Sequence, residues 1–311
     1  MLKVYAGKTI SGLPQVLDYA NVPVVQFVNT INEADYLLIP HNWTHVDRNV
    51  EFVKQYIHSD KKTIIFWFGD SINPVILPPT MATSFPNAII FRTSEYKSKM
   101  EHNEIIMPTV VEDLGTKYGF ESRLKGDRPI VGFVGWAGQK GLAKIKSAMK
   151  NIFKSGPYKK GLYFRKLAID ILSRSPLVRT NFVLKDQYKS GSQEDYVANI
   201  KNTDFTLAPK GDGNYSARFY ETLSLGRLPI LIDTECVLPL ENEINYDEFI
   251  VRVPYQDIAR TTEYVVKFYH DMSDDEYKNK QARARETFEK YLRIDKYLAR
   301  VLTNEFLSRY A

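Results

Sequence analysis

The chain has 311 residues, 44% of them hydrophobic and 25% charged, with a formal net charge of +5. That length asks for two domains of ordinary size, and the composition is globular, which excludes a disordered chain. No apolar run approaches the roughly 20 residues that a membrane-crossing helix needs.

The opening MLKVYAGKTISGLPQ carries Lys3 and then a strand-like stretch, without the apolar core of a signal peptide. A soluble, cytoplasmic protein is expected. Short apolar runs then recur at Lys3–Tyr5, Val24–Val28, Tyr36–Ile39, Thr63–Phe68, Ala88–Phe91 and Ile105–Met107. They are rich in Val, Ile, Phe and Tyr and continuous rather than alternating, the pattern of parallel strands buried on both faces. Residues Asp47–Ser59 read as a crossover helix with Val50, Val53 and Ile57 on one face. The polar, glycine-bearing stretch Glu112–Asp127 reads as a linker, which divides the chain into domains at 1–125 and 126–311.

A second series begins with a strand at Ile130–Val134 and the turn Gly135–Gly138. From Arg128 to Leu167 there are ten Lys and Arg and no acid. Within it Leu142, Ile145, Met149, Ile152 and Phe153 recur at helical spacing with lysines between them. Such a helix either packs its apolar stripe on a sheet or rests on an anionic membrane surface, so peripheral membrane contact through residues 140–166 is one expectation. A helix at Phe164–Ser173, a strand at Asn181–Leu184, a helix at Tyr196–Lys201 and a strand at Asp204–Ala208 follow. After them come a helix at Arg218–Leu225, strands at Pro229–Ile232 and Phe249–Val253, and a helical tail from Ile258. Cys236 is the sole cysteine, so no internal disulfide can form; TECVLPL has no neighbouring His, and it reads as a small buried hydrophobe. The fold expected is α/β, with two Rossmann-like halves and a C-terminal helical tail.

The chemistry concentrates between Phe205 and Asp233. Gly211 and Gly213 sit in a loop between a strand and a helix, where backbone can turn tightly and approach a ligand. Asn214 or Ser216 is placed to cap the helix, whose N-terminal N–H groups and dipole favour a phosphate. Arg218 and Glu221 are three apart on one helix face. Arg218 supplies a planar fork for a diphosphate and Glu221 acceptors for ribose hydroxyls. A solvated Arg–Glu pair is the plainer alternative.

The elements Ser216, Arg218, Glu221, Gly226, Pro229 and Asp233, followed by Asn245–Phe249 and Val251-Arg-Val-Pro, resemble the C-terminal signature of the exostosin family of glycosyltransferases. Weaker similarity reaches back to Ile130–Gly138 and Arg165, and to Ala34–Pro40 and Asn87–Arg92. The resemblance implies the GT-B architecture, two Rossmann-like domains facing each other across a cleft. It implies transfer of a sugar from a nucleotide donor, usually a UDP-sugar, with inversion. Arg218 would hold the diphosphate and Glu221 the ribose, with Lys210, Gly211, Gly213, Ser216 and Gly138 near the phosphates.

Inversion needs a base for the acceptor hydroxyl. His41 and Asp70, each just after an N-terminal strand, are the candidates, with His45 and Glu112 behind them. The five His show no paired spacing with acids or Cys, so neither a metal nor another cofactor is expected, and Arg218 can take a metal's charge role. The partners expected are a nucleotide-sugar donor and a glycan or glycolipid acceptor. A GDP-sugar enzyme and a non-catalytic polyanion-binding protein are the competing readings. Nucleic acid is not expected, because the basic run lacks interleaved aromatics arranged as a stacking platform and no known motif appears.

Overall fold

The computed structural model describes residues 1–20, 23–46, 49–57, 60–68, 85, 87–136, 155–185 and 192–310. Two parallel sheets organise it. The first contains β1 (Leu2–Tyr5), β2 (Val25–Phe27), β3 (Tyr36–Leu38), β4 (Thr63–Trp67), β5 (Ala88–Arg92) and β6 (Glu104–Ile106), in the order β2-β1-β3-β4-β5-β6. The second contains β7 (Ile130–Trp136), β8 (Arg179–Lys185), β9 (Phe205–Leu207), β10 (Leu228–Asp233) and β11 (Val251–Pro254), in the order β11-β10-β9-β7-β8. Every pairing is parallel. All residues of β4 and β5 are buried, as continuous apolar runs in a sheet covered on both faces require.

At the edge, β8 departs from that expectation. Among the described residues it pairs only with β7, and Val183 and Leu184 are exposed. The helix read across Asp47–Ser59 is also placed differently. Trp43–Val46 and Val50–Lys54 are helical, the second capped by Asn49, whose side chain accepts the Phe52 N–H at 3.1 Å. Phe52, Val53 and Tyr56 face the core, while Val50 and Ile57 are exposed. Aromatic bulk won the inner face: the Tyr56 hydroxyl also reaches the Ala6 carbonyl.

The chain divides into two compact units, one of residues 1–110, 237–240 and 290–311, the other of residues 111–236 and 241–289. The polar stretch 112–127 is fastened into the second unit. Asp113 caps the Leu114–Tyr118 helix by accepting the Thr116 N–H at 3.0 Å and pairs with the buried Arg285. Arg123 pairs with the buried Asp204 at 2.7 Å. The C-terminal helices divide as well. Thr261–His270 and Asp274–Thr287 belong to the second unit, whereas Ile294–Val301 and Asn304–Leu307 belong to the first. There the Tyr297 hydroxyl donates to the Ile106 carbonyl at 2.9 Å. No helix among the described residues is long and apolar enough to cross a membrane.

One buried ion cluster in the first unit makes a pH prediction. Arg92 ends β5 with its guanidinium 4.6 Å from the Trp67 ring centre, 2.9 Å from Glu95, and paired with Glu104. The Arg92 guanidinium thus touches two buried carboxylates. Burial pushes the Glu95 carboxyl above its ordinary range, only partly opposed by Arg92. Its folded pKa therefore exceeds the unfolded one. The associated stability is present at acid pH and declines as pH rises through the folded value. Glu95→Gln, which mimics the protonated form, is expected to raise the melting temperature at neutral pH and to match wild type at about pH 4. A gap that grows on acidification would contradict this assignment.

Candidate functional site

In the second sheet the chain runs from β7 outward to β8 and then returns to place β9 on the other side of β7. The strand order therefore reverses between β7 and β9. In open α/β sheets, ligands bind at such a reversal, beyond the carboxyl ends of the strands. The loop 208–216 and the Ala217–Ser224 helix leave the end of β9 at this point.

The loop is stitched in place. The Gly211 N–H donates to the Tyr215 carbonyl at 2.9 Å. The Asn214 side chain donates to the carbonyls of Thr234 and Glu235 at 3.2 and 3.3 Å, and accepts the Thr234 hydroxyl at 2.6 Å. Ser216 occupies the N-cap position, but its side chain makes no capping bond. Lys210, read as a phosphate neighbour, is buried instead. Its ammonium donates to the Pro157 carbonyl at 2.5 Å and lies 5.3 Å from the Phe164 ring centre. Gly213 is buried within the loop.

Arg218, in the first turn of the helix, reaches back to β7. Its Nη2 donates to the Val134 carbonyl at 2.7 Å, and its guanidinium carbon lies 4.4 Å from the Phe133 ring centre. The approach is close enough that a Cβ on Gly135 would stand 3.1 Å from Nη2. From the other side of the chain, Arg165 of the Gly161–Arg174 helix joins it. Its Nη1 donates to the Trp136 carbonyl at 2.8 Å, with the guanidinium 5.7 Å from the same ring. Two fixed guanidinium groups thus share one aromatic ring midway along β7 and bond carbonyls in its carboxyl-terminal half, each within cation–π range. The Arg218 Nε is buried without a hydrogen-bond partner. Such a pair is built for a dianion with several acceptor oxygens.

One turn further along, Glu221 accepts a hydrogen bond from the Tyr196 hydroxyl, and the Tyr196 ring lies 6.0 Å from the Arg218 guanidinium. The face that Arg218 and Glu221 share therefore carries Tyr196 as well. On the opposite face Phe219 and Leu223 are buried, as the spacing predicted.

The candidates for a base fall out differently. His41 is fully buried, its Nε2 2.9 Å from the Ile10 N–H and its Nδ1 3.0 Å from the Pro14 carbonyl. The tautomer that satisfies both contacts donates from Nδ1 and accepts at Nε2, which leaves no lone pair for a substrate proton. His41 thus fastens the loop after β1 as a structural residue, not the base its place after β3 suggests. Asp70 and Gly138 lie outside the described residues, as does 140–154 of the basic segment. His45 is exposed on its short helix. Glu112 pairs with Lys117 at 2.8 Å and accepts Gln193 at 2.8 Å; the Lys117 bond, then the Gln193 bond, hold its carboxyl below the usual range. It stays ionised and engaged.

Sequence reasoning reached Arg165 only through faint family similarity and did not reach Phe133 or Tyr196 as site residues. An arginine among apolar positions on the 161–174 helix was the available signal.

Compared with known proteins, residues 152–268 match the exostosin GT47 domain. Among solved structures, the chain is similar to TarM at a TM-score of 0.39 and 12% identity, over 84% of this chain and 57% of that one. A second match is an S. aureus TarM mutant in complex with fondaparinux, alpha-GlcNAc-glycerol and UDP. Its TM-score is 0.38 at 11% identity, covering 84% of this chain and 58% of that one. The chain thus spans less than two thirds of the length of the structures it matches. No curated protein matches it.

Proposed function

We propose that this chain is a glycosyltransferase, a reading supported by the match of residues 152–268 to the exostosin GT47 domain, and that it transfers a sugar from a nucleoside-diphosphate sugar to a glycan or glycolipid hydroxyl with inversion. UDP is the expected nucleotide. The observation that carries the reading is the pair of guanidinium groups, Arg165 and Arg218, held on Phe133 where the strand order reverses. An acceptor hydroxyl attacks the anomeric carbon while the bond from that carbon to the phosphate oxygen breaks. The electron pair leaves with the nucleotide, and the acceptor proton passes to a base, for which Asp70 is the proposed residue. Negative charge grows on the departing diphosphate. Cations fixed beforehand, which need no reorganisation as the bond breaks, stabilise that charge most effectively. Two arginines supply it without calling on a metal. The first turn of the 217–224 helix adds N–H groups and its dipole on the same side. Glu221 is assigned to the ribose.

The test is release of free nucleotide from UDP-, GDP-, CMP- and dTDP-sugars, read together with donor-induced thermal stabilisation. Release or stabilisation confined to UDP-sugars is the expected result. A preference for GDP-sugars would replace the nucleotide assignment while keeping the class. If no nucleotide sugar stabilised the protein, the donor reading would fall, and salt-sensitive polyanion binding would be measured next.

A further inference from the structure

The contact between Tyr196 and Glu221 has no role in a bare diphosphate-and-ribose scheme. Glu221 projects from a helix face into a half-buried position, where a flexible carboxylate has several rotamers to lose before it can bind anything. Tyr196 removes that freedom. Its hydroxyl donates to Oε2 of Glu221, which leaves Oε1 as the acceptor that remains on the same carboxylate. Tyr196 is itself anchored. It lies in the first half of the Gln193–Lys201 helix, which is capped by the Ser192 side chain accepting the Asp195 N–H at 3.1 Å. Burial first, and then the Glu221 charge, push the Tyr196 phenol well above its ordinary range, against the opposing pull of Arg218. The phenol therefore remains a donor at any working pH.

Resting on the nucleotide-sugar reading above, we infer that Tyr196 is a positioning residue that aims Glu221 at a single ribose hydroxyl and so sets discrimination between ribo- and deoxyribonucleotides. A carboxylate fixed to receive a hydroxyl loses that bond outright when the hydroxyl is missing, and its desolvation is then uncompensated. A carboxylate free to rotate finds water instead, so it discriminates less. Tyr196 also interacts with Arg218, so the diphosphate end is read separately, with pyrophosphate.

The experiment is a binding series on the full chain with UDP, 2′-deoxy-UDP, 3′-deoxy-UDP and pyrophosphate, comparing wild type, Tyr196→Phe, Glu221→Gln and Arg218→Ala. In wild type one of the two deoxy analogues is expected to bind at least tenfold more weakly than UDP. Tyr196→Phe is expected to shrink that ratio about fivefold or more, a larger change than any in pyrophosphate affinity, because the aim of Glu221 is lost. Glu221→Gln supplies a second route to the same ratio should Tyr196→Phe fold poorly: it keeps an acceptor oxygen but loses the charge, and the ratio should again shrink. If Tyr196→Phe keeps the wild-type ratio while Glu221→Gln loses it, Tyr196 is structural and the inference is overturned, with the donor site intact. If Glu221→Gln also keeps the ratio while Arg218→Ala abolishes UDP binding, Glu221 does not meet the ribose and the inference is again overturned. If Arg218→Ala leaves UDP binding untouched, the nucleotide site itself has been misplaced.

Discussion

Arg218→Ala is expected to lower donor turnover about a thousandfold, with kcat/KM falling more than substrate affinity. The magnitude follows from where the guanidinium sits. It is held by the Val134 carbonyl and the Phe133 ring before any substrate arrives, so in the proposed reaction its charge needs no reorientation toward the leaving diphosphate. Removal of one preorganised donor to a developing oxyanion costs about 3–4 kcal/mol in comparable sites. Two features set the controls. First, Arg218→Ala also deprives the Val134 carbonyl of a donor, which costs about 1 kcal/mol of stability, so the melting temperature is measured alongside. Second, Arg218→Lys keeps the charge but loses the planar fork, and should recover only part of the rate. Arg165→Ala is the matching partner change, expected to be weaker because its guanidinium lies farther from the shared ring. Wild-type turnover in Arg218→Ala would remove the site from this helix altogether.

The sheets were legible in the sequence because strands buried on both faces read as nearly continuous apolar runs, and β4 and β5 are buried at every position and apolar at all but Thr63 and Arg92. The loop and helix after β9 were legible for a local reason: glycines, a cap position, and Arg218 three residues before Glu221 all fall within one short segment. What escaped depends on register between distant segments. Nothing local says that Arg165, some 50 residues before Arg218, meets the same ring, or that Tyr196 reaches Glu221. His41 shows the converse error. A histidine just past a strand looks the same in sequence whether it faces a substrate or is bonded at both nitrogens to the loop after β1, and only the contacts to Ile10 and Pro14 decide. The helix over 50–54 was misfaced because a count of aliphatic residues ignored Phe52 and Tyr56, whose burial outweighs that of Val50 and Ile57.

The same dependence on distant segments determines which glycine the loop cannot lose. Sequence points to Gly211, yet a Cβ there would meet nothing nearer than the Tyr215 carbonyl oxygen at 3.8 Å, an ordinary contact. Gly161 is the tighter position. It opens the Gly161–Arg174 helix against the loop, and a Cβ on it would stand 2.1 Å from the Lys210 carbonyl oxygen and 2.3 Å from that of Gly211. Both are backbone atoms, so relief requires the loop or the helix to move by about 1 Å, not a side chain to turn aside. The loop is already tied to the same neighbourhood by the Lys210 ammonium on the Pro157 carbonyl, and it leads directly into the helix that carries Arg218. The helix start carries Arg165. A displacement here therefore spreads the two guanidinium groups proposed to act on one diphosphate. Gly161→Ala is expected to cost about 3 kcal/mol, a fall of roughly 6 °C or more in melting temperature. Where the protein remains folded, donor turnover should fall about a hundredfold, since an ångström of misplacement in a positioned group has that effect. Gly211→Ala should leave both close to wild type. The reverse ranking, with Gly211→Ala damaging and Gly161→Ala silent, would mean that the loop depends on glycine's backbone freedom rather than on the packing of the 161–174 helix against it.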